Sequence, residues 1–249
     1  MKKYLVLDIG GSSIKYAMMN ESAEFLSKGS VKTPLDCIES LVEIIGQIYD
    51  DYKFEIEGMA ISMPGVLDSD TGYAYSGGWL KYNSGQNIIE VLKKRCNTVI
   101  AIENDAKCAA SAELGFGSLK GCKDAAVIVL GTGVGGGIII DGKVHKGSHS
   151  FAGEFSFMRM NCNEIDAMNH VWGLKNGAPA LAETVANIKG IPVEEVNGLF
   201  IFELANSGDA KILTVLDEFT RWIAMQIIDI QCLIDPELVA IGGGISAQP

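Results

Sequence analysis

One unit of chain occurs twice: an apolar run, a cluster of glycines and a second apolar run. In the first copy Tyr4-Leu5-Val6-Leu7 leads into Asp8-Ile9-Gly10-Gly11-Ser12-Ser13, and 14–19 follows. In the second, about 120 residues later, Ala126-Val127-Ile128-Val129-Leu130 leads into Gly131-Thr132-Gly133-Val134-Gly135-Gly136-Gly137, and Ile138-Ile139-Ile140 follows, closed by the turn pair Asp141-Gly142. A strand, a glycine turn and a returning strand make a β-hairpin, so two hairpins of one kind are predicted. A third cluster, Gly242-Gly243-Gly244, follows Leu238-Val239-Ala240-Ile241 and marks a buried strand emptying into a loop. The 29 glycines among 249 residues exceed the usual share of about 7%, but their clustering is the stronger signal.

Helical stretches alternate with these strands. Ile38-Leu41-Val42-Ile45-Ile48 and Ile88-Val91-Leu92 keep a rhythm of about 3.6 residues. An alanine-rich helix is predicted over 106–114, just after the capping residues Asn104-Asp105, and a long apolar one over 213–233, ended by Asp235-Pro236. Hairpins with βα units, occurring twice, imply an α/β protein of two similar halves. At about 150 residues per domain, the length leaves room for both. The division is placed at Gly115-Phe116-Gly117, giving a smaller domain over 1–114 and a larger one over 115–249. The segment 68–87 is polar and carries Tyr73, Tyr75, Trp79 and Tyr82, which reads as a long functional loop or a small hairpin.

Composition excludes several classes. Twenty basic residues against 31 acids give a net charge of −11, which repels polyphosphate backbones and anionic membranes; neither a nucleic-acid nor a membrane partner is expected. The most apolar stretch, 125–140, is broken by five glycines and falls short of the roughly 20 residues of a membrane span. Met1-Lys2-Lys3-Tyr4 runs straight into a strand without a signal-peptide pattern, so a cytoplasmic location is expected. The six cysteines contain no C-x-x-C clip, and reduced, mostly buried thiols are expected.

A turn built of small residues exposes backbone N–H groups that can converge on phosphate oxygens, although each glycine turn taken singly is also explained as a tight turn. No Gly-Lys-[Ser/Thr] loop is present, and neither cluster has the strand-to-helix context of a dinucleotide fold. Asp8, at a strand end beside the glycines, suits the outer shell of a Mg²⁺ ion. Asp105 stands between a strand end and a helix start; it reads either as an N-cap or as a general base for an alcohol attacking a phosphoryl group. Glu154 reads either as an acceptor for vicinal hydroxyls or as a solvated loop charge.

In order along the chain, Asp8-x-Gly-Gly-Ser-Ser-Ile-Lys, Met63-Pro64-Gly65, Glu103-Asn104-Asp105-Ala106, Leu130-Gly131-Thr132-Gly133-Val134-Gly135-Gly136-Gly137, Gly153-Glu154 and Ile241-Gly242-Gly243-Gly244 resemble the ROK family of sugar kinases. The resemblance implies the actin-like, hexokinase-type (ribonuclease H-like) fold, with a duplicated mixed sheet and two domains closing over a cleft. It also implies MgATP-dependent phosphorylation of a hexose or hexoside, usually at the 6-hydroxyl. By matching position, Asp105 is the catalytic base, and Gly65, Asn104 and Glu154 hold sugar hydroxyls. Asp8, Gly10, Gly11, Ser12, Lys15, Gly131, Thr132, Gly133 and Gly135 attend the phosphates, while Gly243 and Gly244 back the adenosine. A homodimer is implied as well.

The sequence departs from the family pattern in three places. Phe157 stands where Gly-Glu-x-x-His has its histidine. The zinc loop C-x-C-G-x-x-G-C is absent, leaving Cys162 with the nearby His170, too few ligands for a tetrahedral site. No structural zinc is expected, and an apolar Phe157 opens the site toward a glycoside. The chain stops five residues after Gly244, which bears on the adenine pocket. The alternatives are a carbohydrate-binding relative without kinase activity, and a sugar-sensing repressor, for which no DNA-reading module precedes the first strand.

Overall fold

The first glycine hairpin forms β1 (Lys3–Ile9) and β2 (Ser13–Asn20), paired antiparallel from Lys3↔Asn20 to Ile9↔Ile14. Leu5, Leu7 and Ile9 alternate inward along β1, as the two-residue period of a strand requires. β3 (Phe25–Lys32) pairs antiparallel with β2, while β4 (Gly58–Met63) and, beyond the small antiparallel sheet of β5 (Leu67–Asp68), β6 (Tyr73–Ala74) and β7 (Gln86–Asn87), β8 (Val99–Asn104) add parallel strands on the other side. The sheet order is β3-β2-β1-β4-β8. α1 (Ile38–Tyr52) and α2 (Ile88–Lys93) press Leu41, Ile45, Ile88 and Leu92 into one core with Leu5, Leu7, Ile61 and Ile102.

The computed structural model describes residues 1–161, 163 and 170–246. After α3 (Asp105–Phe116) the second hairpin supplies β9 (Ala125–Leu130) and β10 (Val134–Ile140), joined by β11 (Lys143–His145) and, parallel to β9, by β12 (Leu238–Gly242). Its order, β11-β10-β9-β12, repeats β3-β2-β1-β4 with the same strand senses, so the duplication expected from the glycine clusters is present. α4 (Trp172–Lys175), α5 (Ala178–Lys189), α6 (Gly198–Asn206) and α7 (Ala210–Ile234) follow, and Ile212, Phe219, Ile223 and Ile230 of α7 share a core with Ala126, Ile128 and Leu181. Asp209 caps α7 through the N–H groups of Lys211 and Ile212 and pairs with Lys189; Asp235 ends the helix with φ 50°. No helix among the described residues is long and apolar enough to cross a membrane.

Several expectations are corrected. The chain forms one unit from Met1–Cys108 with Ser148–Phe151 and another from Ala109–Gly147 with Ala152–Pro249, so the division falls inside α3 rather than at residues 115–117. The reason is packing: Ala110 is fully buried with Leu119, Val127 and Ile139 of the second unit. The second glycine turn is shorter than expected, because Gly135, Gly136 and Gly137 lie within β10, opposite Val129, Ile128 and Val127. Segment 68–87, expected as a long loop or a small hairpin, is largely loop but carries a sheet of three two-residue strands and a 3-10 turn rather than one hairpin. Of the described cysteines, which are free thiols, only Cys96 is buried and Cys232 is exposed; they pack less deeply than expected.

Gly136 explains why β10 carries glycine in its interior. A Cβ there would collide with the Phe155 ring and stand 2.7 Å from the Gly153 carbonyl oxygen. Gly136→Ala is therefore expected to lower stability by about 1–3 kcal/mol, read from the urea midpoint; an unchanged midpoint would contradict this close approach.

Candidate active site

In the first unit the Gly10–Ser12 turn is braced by a residue that sequence reading passed over. Buried Thr33 donates its hydroxyl to the Gly10 carbonyl at 2.7 Å and its N–H to the Ser12 carbonyl at 3.2 Å, while Gly10 N–H closes the turn on the Ser13 carbonyl at 3.0 Å. With two carbonyls and the Gly10 N–H of the turn occupied, what remains to offer an anion is the N–H groups of Gly11 and Ser12.

At the ends of the parallel strands, Asp8 pairs in register with Ser62 and Ser62 with Glu103. Residues in register share a face of the sheet, so carboxylate, hydroxyl and carboxylate form a row across β1, β4 and β8. The Ser62 hydroxyl donates to Asp8 Oδ1 at 3.1 Å. Cys108, one turn along α3 from Asp105, also bonds Ser62; burial, with the Glu103 charge, pushes its thiol up to about 11 against that hydroxyl's opposing effect. Lys15 is exposed on β2, opposite Asp8.

Of the two roles that sequence left open for Asp105, the helix cap is taken by Asn104. Asn104 precedes α3 and caps it, its Oδ1 accepting from Lys107 N–H at 3.0 Å, and its Nδ2 donates to the Gly65 carbonyl at 2.9 Å. Gly65 adopts φ +108°, a conformation open to glycine, and a Cβ there would collide with the Ser76 carbonyl oxygen. Asp105 occupies the first helical position, and its carboxylate accepts the Ala106 N–H at 2.8 Å and its own backbone N–H rather than capping the helix from the preceding position. Its surface reaches solvent, yet the protein around it removes enough water that desolvation holds its carboxyl above the ordinary value of 3.8. The Asp8 charge pushes the same way; the Ala106 N–H and the Lys107 charge oppose it.

In the second unit the turn is Gly131–Gly133, closed by Gly131 N–H on the Gly133 carbonyl at 2.9 Å. Gly135, predicted in this turn, is a strand residue instead, because the pairing of β10 begins at Val134. The N-terminus of α5 abuts the turn: Ala178 N–H donates to the Gly131 carbonyl at 2.8 Å, and a Cβ on Gly177 would collide with the Thr132 carbonyl oxygen. Gly243 (φ +100°) passes equally close to the Leu130 carbonyl. Between these parts opens a cavity of about 440 Å³, lined by Thr132, Pro179, Ala182, Phe202, Gly244 and Ile245. Glu154 precedes a 3-10 turn, Phe155–Phe157, that is laid against β10 by the Ser156 hydroxyl on the Val134 carbonyl at 2.7 Å. A second cavity, about 410 Å³, touches no candidate residue. Among the described residues no three His, Cys, Asp or Glu side chains are grouped to hold a metal; Cys162 lies outside the described residues.

The ROK family model matches residues 4–249. The chain belongs to the ROK family. Among ROK relatives, a β-glucoside kinase of Listeria monocytogenes is 29% identical over 99% of this chain and 84% of its own length. The Lmo2764 protein of Listeria monocytogenes superposes with a TM-score of 0.91 at 28% identity, covering 99% of this chain and 85% of that one. A ROK glucokinase of Streptomyces griseus, solved with glucose and AMPPNP, gives a TM-score of 0.85 at 27% identity, covering 99% and 84%. The fold is thus the actin-like, hexokinase-type one of ROK kinases.

Two outcomes are expected. Thr33→Val, which orphans the Gly10 carbonyl, should lower stability by about 1–3 kcal/mol in urea titration; a loss within error would remove the brace. Asp105→Asn should raise the melting temperature at neutral pH. A carboxyl raised in the folded state favours folding while protonated, and that contribution is lost as pH climbs above 3.8, the ordinary value at which the unfolded chain ionises. The gain should therefore shrink as pH falls from the raised folded-state value toward 3.8 and vanish below it, and a gain constant with pH would refute the ionisation cost.

Proposed function

We infer that this protein is an ATP-dependent sugar kinase that phosphorylates a hexose or hexoside at its 6-hydroxyl, with Asp105 as general base. The observation that carries the assignment is the division of labour at the start of α3. Because Asn104 takes the helix cap, the Asp105 carboxylate is left to receive a proton. Desolvation raises its proton affinity, the direction that general-base catalysis favours. Membership of the ROK family, and relatives named for β-glucoside and glucose kinase activity, support a sugar as acceptor.

In the reaction Asp105 takes the proton of the sugar hydroxyl as that oxygen attacks the γ-phosphorus of ATP. The bond from the γ-phosphorus to its bridging oxygen breaks, and ADP leaves. Gly65 and Asn104 hold the sugar beside Asp105, and Glu154 keeps the hydroxyl-accepting role that its motif implies. In the Gly10–Ser12 turn the Gly11 and Ser12 amides, and in the Gly131–Gly133 turn those of Thr132 and Gly133, attend the phosphates, since the Gly10 and Gly131 amides close their own turns; the apolar walls of the 440 Å³ cavity, backed by Gly243 and Gly244, suit a purine. Asp8, held through Oδ1 by Ser62, suits the water shell of a Mg²⁺ ion, which would offset charge on the phosphates. A homodimer is proposed on family membership alone.

A coupled ADP-release assay across glucose, N-acetylmannosamine, fructose and cellobiose tests the activity. Asp105→Asn should cut turnover by about 10²–10⁴-fold while calorimetry still registers sugar and ATP. Turnover near that of the parent would end the assignment, and sugar binding without any nucleotide binding would favour a non-catalytic carbohydrate-binding protein.

A further inference from the structure

Trp79 is 59% exposed, although its neighbour Leu80 is sealed in the core at 1%. The backbone that presents it is tied down on every side. Gly77 to Leu80 form a turn closed by Leu80 N–H on the Gly77 carbonyl at 3.0 Å, with Gly78 at φ +57° in its first central position. Gly77 N–H donates to the Ser84 hydroxyl at 2.9 Å and Gly78 N–H to the Ser76 hydroxyl at 3.2 Å. A loop this constrained does not expose an indole for want of anchorage.

Its place is equally specific. A Cβ on Gly78 would stand 3.2 Å from Gly65 N and from Pro64 Cβ, and the Trp79 Cβ lies 4.0 Å from where a Cβ on Gly11 would be. Trp79 therefore stands over the Gly65 loop whose carbonyl Asn104 holds, beside the Gly10–Ser12 turn. Tyr73 and Tyr75 stack edge-on with each other at 5.2 Å, whereas among the described residues no ring pairs with Trp79. Gly65, Asn104 and Asp105 supply the polar groups that one pyranose ring needs; an aromatic face next to them offers what a second ring needs, an apolar surface for its C–H groups. Tryptophan suits this because it presents a large area at the cost of ordering two torsions.

We propose that Trp79 is the stacking platform for the aglycone ring of a glycoside, so that the acceptor is a β-linked disaccharide or similar hexoside rather than a free hexose. The proposal rests on the sugar-kinase reading and narrows its substrate class.

Calorimetric titration of glucose and of cellobiose into the full chain tests it, with the parent, Trp79→Ala and Trp79→Phe compared. The parent should bind cellobiose about tenfold more tightly than glucose. Trp79→Ala should collapse that ratio at least fivefold, to about twofold or less, and Trp79→Phe should keep most of it. A parent without preference for cellobiose, an alanine variant that weakens both sugars alike, or no binding of either sugar would overturn the proposal. ADP release is scored separately: a Trp79-dependent preference for cellobiose without ADP formation would sustain the platform and defeat the kinase reading.

Discussion

One side-chain amide uses both of its ends to hold the proposed catalytic corner of the first unit. The Asn104 carbonyl oxygen satisfies the helix N–H of Lys107, and its NH₂ holds the Gly65 carbonyl, so a strand end, a helix start and a loop are fixed by a single buried group. Everything asked of Asp105 follows from this. A carboxylate that capped the helix would be stabilised as an anion by the helix N–H groups and made a poorer base. With the cap supplied next door, Asp105 feels its desolvation more than it feels the Ala106 N–H that opposes it, and the Asp8 charge adds to the same upward push. The stability this sacrifices and the basicity it gains have one origin.

The two units share a strand order yet use glycine differently. In the first hairpin, glycine is confined to the turn, and a threonine from beyond β3 braces it. In the second, glycine continues into the strand, where bare backbone lets the Gly153–Phe155 segment lie against it, and the turn is backed instead by a helix N-terminus. The same hairpin thus becomes a braced loop in one place and a scaffold for the Glu154 segment in the other.

Much of this was legible in the sequence. Both hairpins, α1 and α7 follow from clustered glycine and from apolar residues at helical spacing, since these are local patterns. β3 was not, because Phe25-Leu26-Ser27-Lys28-Gly29-Ser30-Val31-Lys32 lies at an exposed edge and shows no clean alternation of apolar and polar residues. The two-residue strands β5, β6 and β7 are too short to carry a period. Thr33 and Ser62 were missed because each acts through a partner 23 or 54 residues away. The capping of α3 was ambiguous for a different reason: Asn104 and Asp105 are both good caps, and only the geometry separates them.

Two residues beyond Asp105, Lys107 is fully buried, and its ammonium donates to the Ser150 carbonyl at 3.1 Å. Ser150 itself holds φ 56°, unusual for serine. A charged amine so enclosed is stable only while polar atoms stand in for its lost water. Peeling the 148–151 segment away would remove one of those atoms, and solvent would have to enter to replace it. Any opening of that segment would therefore be a wetting event, set as much by the hydration of the Lys107 amine as by the contacts the segment itself gave up.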